Sequence, residues 1–457
     1  MFAILASSIR QNFMDHKKCA IGLTLIISVL ANLAAAQSAQ AQPPEDDTPN
    51  PFPIYQKGVD ENNYLAPLLE LQKDEFARSK RWRGVLPDLL GYLFSFTGEY
   101  RTAHTHLDRT REHLLDRPPY KDVTISPIDA YEPRPAIDAV AALADKTQVV
   151  MINEEHDTPM HRAFTTRLLP VLYSKGFRYL AAETLGEKDP ELAKRGYPVH
   201  STGFYSNDPV FGEMLREALR LGFKIVPYEH PGEKLLECGK QGKDADFCQD
   251  ERERGQAQNL YDRILRVDPR AKILVHVGRG HNQQLKFETW AMMGWHFKDI
   301  TGITPLSVNQ MLSERSEPKY ENGLYRYAAN KWKLEVPTVF VDKAGEYFQS
   351  LGYDLAVFHP RTTLEHGRPN WLRTLGGRKP AKVNLRKLNL KSGSKGFTGQ
   401  GPVLIQAFRQ GENADAIPAD QIVLHPDRQV PVLMLPKGKF TIRAIERTGK
   451  IIGEYKR

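Results

Sequence analysis

Between residues 136 and 281, short β-branched and aliphatic runs alternate four times with helical patterns, and each run ends at an ionisable side chain. Val149-Val150-Met151-Ile152 leads into Asn153-Glu154-Glu155-His156-Asp157-Thr158-Pro159-Met160-His161. Strands predicted over 178–182 and 224–228 end at Glu183 and Glu229, and one over 272–277 runs into Gly278-Arg279-Gly280-His281. Such alternation predicts an α/β fold with a central, mainly parallel sheet and flanking helices. Open sheets of this kind bind ligands outside the carboxyl ends of their strands. A plain strand-to-helix turn needs only an N-cap, which Asp157 or Thr158 supplies. Glu-Glu-His in front of that cap is surplus to the turn, and four such endings predict one shared site.

The helices between these strands are expected over 136–143, 162–175, 210–221 and 250–267. Gly176 and Gly222 stand where a C′ glycine belongs. Ahead of this region, residues 42–63 are rich in Pro, Asp and Asn and predict a disordered leader. Residues 64–118 show helical spacing. They include a hairpin around Gly98 of tetratricopeptide type, a single unit that cannot bury its own face and so predicts a helical brace packed on the α/β domain. That domain is expected over 119–375. A Gly-, Ser- and Lys-rich linker is expected over 376–400, and a small all-β module over 401–457 as a contact surface for an envelope partner.

At the N-terminus, Lys17-Lys18 precede an apolar run over 20–36 and then Ala39-Gln40-Ala41. A basic head, apolar middle and Ala-x-Ala site predict a secretory signal peptide cleaved near Ala41. The mature chain is then periplasmic or secreted, with no integral membrane segment. Cys19 leaves with that segment. Cys238 and Cys248 remain, ten positions apart, and in an oxidising compartment they read as a disulfide. The formal charge is +8, with a loose basic cluster from Arg361 to Lys395. No basic stripe with stacking aromatics accompanies it, so no nucleic-acid partner is expected.

Residues 153–161 resemble the G-E-x-H-D-x-P-x-H signature of the superfamily that joins ChaN-type haem-uptake proteins, Tiki/TraB-type proteins and erythromycin esterases. The resemblance continues through Glu183, Glu253-Arg254-Gly255-Gln256-Ala257 and Val275-His276-Val277-Gly278-Arg279-Gly280-His281, and covers roughly residues 136–300. Asn153 stands where the family has Gly. The resemblance implies a hydrolase acting on a small-molecule or peptide substrate. His156, Glu154, Glu183 and His281 are the catalytic candidates, and Arg254, Glu229 and Arg279 the substrate-binding ones.

Two chemistries remain open. A histidine near its ordinary pKa takes a proton from water when a carboxylate orients it. Alternatively, Glu155, His161 and His281 ligate a divalent metal ion that activates the water. Resemblance to the ChaN branch implies a third reading from a different class, a non-catalytic haem- or iron-binding envelope protein. His276, inside its strand, reads as a satisfied core histidine. The chain has no G-x-S-x-G elbow and no phosphate-binding glycine loop.

Overall fold

The computed structural model describes residues 47–457 apart from 111, 113–114, 116–120, 122–126 and 187–188. The expected signal peptide and the first residues of the leader lie outside the described residues. Strands β1 (Glu132–Pro135), β2 (Val149–Glu154), β3 (Phe177–Ala182), β4 (Lys224–Val226), β5 (Lys272–Gly278), β6 (Leu306–Leu312), β7 (Thr338–Val341) and β8 (Leu355–Phe358) form one sheet. Their order is β1-β7-β8-β6-β2-β5-β3-β4. Pairing from β8 through to β4 is parallel, while β7 pairs antiparallel with both β1 and β8. This is the expected α/β architecture. β1 holds Pro133 and Pro135 and lies at the sheet edge, where proline's missing N–H costs no ladder bond.

β2 shows why the sheet is covered on both faces. Val150 and Ile152 join one core cluster, Val149 and Met151 another, and every residue of the strand is buried. That period-2 split of an all-apolar run is what a central parallel strand requires.

The expected disordered leader is corrected. Residues 51–60 form helix α1 (Pro51–Asp60), opened by the Asn50 side chain accepting from Phe52 N–H. Phe52 and Tyr55 are buried in the main core, and that burial offsets the chain entropy a Pro-rich leader would otherwise keep. α2 (Leu65–Leu71), α3 (Leu86–Phe96) and α4 (Tyr100–Arg109) follow. α3 and α4 form the expected hairpin, turned at Gly98 with φ +82°. They pack so closely that a Cβ on Gly91 would meet Leu107 Cγ at 2.2 Å. Leu93 and Phe96 share a core with Phe164 and Phe211, so the brace is continuous with the α/β domain.

Helices α5 (Ala136–Ala144), α6 (Pro159–Ser174), α7 (Pro209–Leu221), α8 (Gly232–Lys240), α9 (Ala245–Leu260) and α10 (Met293–Thr301) cover the sheet. Asp208 caps α7 by accepting from Val210 and Phe211 N–H. The Cys238–Cys248 disulfide is present and ties α8 to α9. None of the described helices is long and apolar enough to cross a membrane.

The linker expectation is corrected as well. After a hairpin of β9 (Leu364–Glu365) and β10 (Arg368–Pro369), residues 376–400 contribute β11 (Lys379–Ala381), β12 (Lys391–Gly393) and β13 (Gly396–Thr398). The sparse apolar residues Ala381, Leu388 and Phe397 seat in the module's core. Strands of three residues are too short to register as a pattern in the sequence. β14 (Val403–Arg409), β15 (Asp420–Leu424), β16 (Leu433–Leu435), β17 (Phe440–Ile445) and β18 (Ile451–Lys456) complete an antiparallel module. Its main sheet runs β15-β14-β17-β18, and β11 pairs with β16. Glu213 on α7 reaches Arg378 and Arg409 at 3.3 and 2.7 Å, holding the module against the α/β domain.

Candidate active site

Strand register builds the site. β5 lies between β2 and β3, with Glu154 level with Gly278 and Ala182 level with His276. The chain therefore leaves three neighbouring parallel strands at one height, carrying Glu154, Glu183 and the Gly278-to-His281 turn. Glu183 N–H donates to His276 O at 2.9 Å, continuing the ladder one residue beyond β3.

Glu154 is 1% exposed and its carboxylate is saturated. Oε1 accepts from His156 Nδ1 and Arg162 Nη2, each at 2.8 Å. Oε2 accepts from Arg162 Nε at 2.7 Å and His276 Nε2 at 2.8 Å. Burial alone would raise this carboxyl, but Arg162 and His276, with the histidine hydrogen bonds, hold it well below the usual carboxylate range. Since an ionised carboxylate only accepts, the proton of His156 sits on Nδ1 and the Nε2 lone pair is open.

His156 Nε2 lies 3.9 Å from Glu183 Oε1, too far for a direct hydrogen bond. The His156 ring stacks on Tyr205 with centroids 3.8 Å apart and planes at 15°. Gly278 makes this meeting possible: a Cβ there would stand 2.6 Å from His156 Nε2 and 2.8 Å from Glu183 Oε2. Glu183 Oε2 accepts from Gly278 N–H, and Oε1 from Arg252 Nη2 at 3.2 Å. Burial pushes the Glu183 carboxyl up, yet His281, His156, Arg252 and the Gly278 amide together bring it down.

A second glutamate–histidine pair reaches the same carboxylate from α9 and the turn after β5. His281 Nδ1 lies 2.6 Å from Glu253 Oε1, and its Nε2 is 4.0 Å from Glu183 Oε1. Arg252 Nη1 donates to His281 Nε2 at 3.2 Å, and Nη2 reaches Glu229 Oε1 at 3.3 Å. Glu154, His156, Glu183 and His281 are thus gathered in one buried cluster, with Glu229 joined through Arg252.

The other expected residues fall outside that hydrogen-bonded cluster. Arg254 is exposed, and the arginine in the cluster is Arg252. Arg279, with φ +26°, offers its backbone O to Asn153 Nδ2 at 2.7 Å. Burial lowers its guanidinium pKa, but Glu155 and Asp157 outweigh that and raise it. Glu155 itself meets Arg315 Nη1 at 2.6 Å. His161 Nδ1 accepts from Glu155 N–H at 3.0 Å, which leaves its proton on Nε2 and offers no lone pair to a metal. Glu155, His161 and His281 are therefore not drawn together as ligands, and no group of three His, Cys, Asp or Glu among the described residues is arranged to hold a metal ion. The strongest metal-like grouping, Glu183, Glu229 and His281, already encloses the guanidinium of Arg252, so a divalent ion does not fit there. Nor does the His156 ring fit a haem, with Tyr205 on its face and Gly278 and Glu183 at its edge.

Asn153, in place of the family's Gly, acts as a fastener. Its Oδ1 accepts from Gln310 N–H at 2.8 Å, and its Nδ2 also reaches Tyr353 Oη at 3.2 Å. His276 is the satisfied core histidine that its strand position suggested, and it also orients Glu154. Sequence reasoning missed Arg162, Arg252 and Tyr205. Arg252 was discoverable: Cys248, Arg252, Gln256 and Leu260 share one buried stripe of α9 at i,i+4 spacing. A groove of about 240 Å³ between α4 and the β module, lined by Glu99, His366, Arg368 and His425 among others, contains none of the clustered residues.

No family model matches the chain, and no curated protein does. Among solved structures, the type III effector HopBA1 aligns at 14% identity and a TM-score of 0.30, covering 52% of this chain and 100% of its own. RRSP, a MARTX toxin effector domain from Vibrio vulnificus CMCP6, aligns at 12% identity and a TM-score of 0.28, over 60% of this chain and 48% of that one. A structure described as bacterial protein toxins aligns at 12% and 0.28, over 76% and 78%. Scores this low carry no activity across.

Proposed function

We propose that this chain is a periplasmic or secreted hydrolase of ester or peptide bonds, in which His156 activates a water without a metal ion. The observation that carries the reading is the 3.9 Å gap between His156 Nε2 and Glu183 Oε1. Both atoms are acceptors, so a water placed between them donates a hydrogen to each and turns its lone pairs outward. As that oxygen attacks a carbonyl carbon, His156 Nε2 takes the departing proton and Glu154 balances the imidazolium. The carbonyl electrons move to oxygen, where Arg252 is the cation at hand. Collapse expels the alcohol or amine, which receives the proton back from His156. The motif resemblance over 153–161 and the Cys238–Cys248 disulfide support the same reading.

The test is an ester and a peptide panel presented to the purified chain with and without chelator. Hydrolysis should survive chelation and fall by about 10²–10⁴-fold in His156→Ala, with the circular dichroism spectrum unchanged. Turnover that requires an added divalent ion, turnover untouched by His156→Ala, or no turnover on either panel defeats the reading.

A further inference from the structure

The positive charge of this protein is confined to one module. Residues 376–457 hold sixteen Lys and Arg against six Asp and Glu, a net of +10, whereas residues 1–375 hold 47 against 49, a net of −2. The module's own ion pairs do not neutralise the excess. Arg378 and Arg409 are taken up by Glu213, and Arg443 by Glu454. Lys379, Lys382, Lys437, Lys439, Lys456 and Arg457 are exposed, and none has an ion-pair partner among the described residues.

Backbone pairing places these six on adjoining strand ends and turns. Lys379 pairs with Leu435 across β11–β16, and Lys437 follows two residues later. Phe440, next to Lys439, exchanges two backbone hydrogen bonds of 2.8 Å with Arg457. Arg457 Nη1 donates to Lys382 O at 3.1 Å. Lys456 stands opposite Thr441, and Lys387 lies 5.6 Å from the ring of Tyr455 beside it. Lysines that merely block an exposed sheet edge would explain Lys456 on β18. They explain Lys379 on β11 too, but not Lys382, Lys437 and Lys439, which lie outside the strands.

We propose that this face of the module docks on an anionic phospholipid bilayer. Five of the six cations are lysines, point charges without the planar fork that reads a particular phosphate or base. A diffuse negative surface suits such a patch better than a defined anion. Base-stacking aromatics of the kind single-stranded nucleic acid needs are absent from the six-residue face. The inference stands independently of the hydrolase reading, because no residue of the His156 cluster belongs to this face.

The experiment is co-sedimentation of the exported chain with vesicles of phosphatidylcholine alone or mixed with phosphatidylglycerol. Binding should appear only with phosphatidylglycerol and vanish as salt is raised, a readout that needs no variant. Each lysine near an anionic surface is worth roughly a fivefold change in partition. The triple variant Lys382→Glu, Lys439→Glu, Lys456→Glu should therefore lower binding about a hundredfold or more, with an unchanged melting temperature. Equal pelleting with both lipids, or full binding by the triple variant, overturns the proposal. So does a chain that ignores both vesicles while heparin or duplex DNA retains it through these lysines, which would assign the face to a soluble polyanion.

Discussion

Arg252 Nη1 lies 3.2 Å from His281 Nε2, so a fixed cation donates into the imidazole nitrogen that a metal ion would require. A guanidinium has no acceptor, which puts the ring proton of His281 on Nδ1, facing Glu253 at 2.6 Å. Arg252→Ala removes that cation from among Glu183, Glu229 and His281. The variant should lose turnover and gain cobalt(II) uptake, visible in the cobalt absorption spectrum, while the parent chain shows none. Cobalt uptake by the parent would defeat the assignment of Arg252 as the resident cation. Glu183 is left without its cation, so a stability loss of about 3–5 kcal/mol in urea titration should accompany the change.

Gly278 is the second point at which the cluster is exposed to a small change. A methyl group there would press on His156 Nε2 at 2.6 Å and on Glu183 Oε2 at 2.8 Å. His156 cannot retreat freely, because Tyr205 covers its face at 3.8 Å. Gly278→Ala should therefore displace the imidazole and cut kcat by about 100-fold, at a stability cost of about 1–3 kcal/mol. Unchanged kcat in a folded Gly278→Ala protein would show that the His156–Glu183 gap is not where turnover happens.

The sequence carried the strand ends and withheld their supports. Val149–Ile152 and Lys272–Val277 announce themselves because fully buried parallel strands are continuous apolar runs. β6 does not: Ser307, Asn309 and Gln310 interrupt it, and all three are buried. Asn309 and Gln310 bond to Asn153, and Ser307 Oγ to Asn282 O at 2.5 Å. Polar residues that serve a buried network look like loop residues until the partner is known. Arg162 and Arg315 are hidden for the same reason, since their carboxylate partners come from other turns and other elements. Arg254 and Arg252 stand only two residues apart, yet that is about 200° around the helix axis, enough to turn one to solvent and the other into the cluster. α1 and the strands within 376–400 escape a reading by composition because a few well-seated apolar side chains outweigh a polar average.

Arg315 joins the brace to the turn after β2. Its guanidinium meets Asp108 Oδ1 and Glu155 Oε2 at 2.6 Å and Asp157 Oδ2 at 2.8 Å. Asp108 sits on α4, and the other two carboxylates belong to the turn after β2. Arg315→Met leaves these buried acids short of a cation and should cost about 3–5 kcal/mol in chemical denaturation. Partial rescue is expected from Asp108→Asn in the same chain, since it removes one orphaned charge. Additive losses in the double variant would mean that Asp108 and Arg315 do not act on each other.

Acid should loosen the fold before it protonates the carboxylates. His161 is fully buried; burial pushes its pKa down to about 4, against the raising influence of Glu155, Glu154 and Asp157. Burial likewise holds His359, whose ring centroid is 5.1 Å from that of His161, well below the ordinary histidine value. Near pH 6.5 the unfolded chain takes up a proton at each position and the folded chain does not. The stability these groups contribute is therefore complete above pH 6.5 and is lost as pH falls toward about 4. For His161 alone the loss amounts to about 3 kcal/mol. Glu154, held low by Arg162 and His276, adds its own loss only below its ordinary value of 4.5. Between those limits the melting temperature should fall steadily. His161→Gln keeps an acceptor for Glu155 N–H and cannot titrate, so its melting temperature should fall less over the same range. An equal slope in parent and variant would remove His161 as the cause.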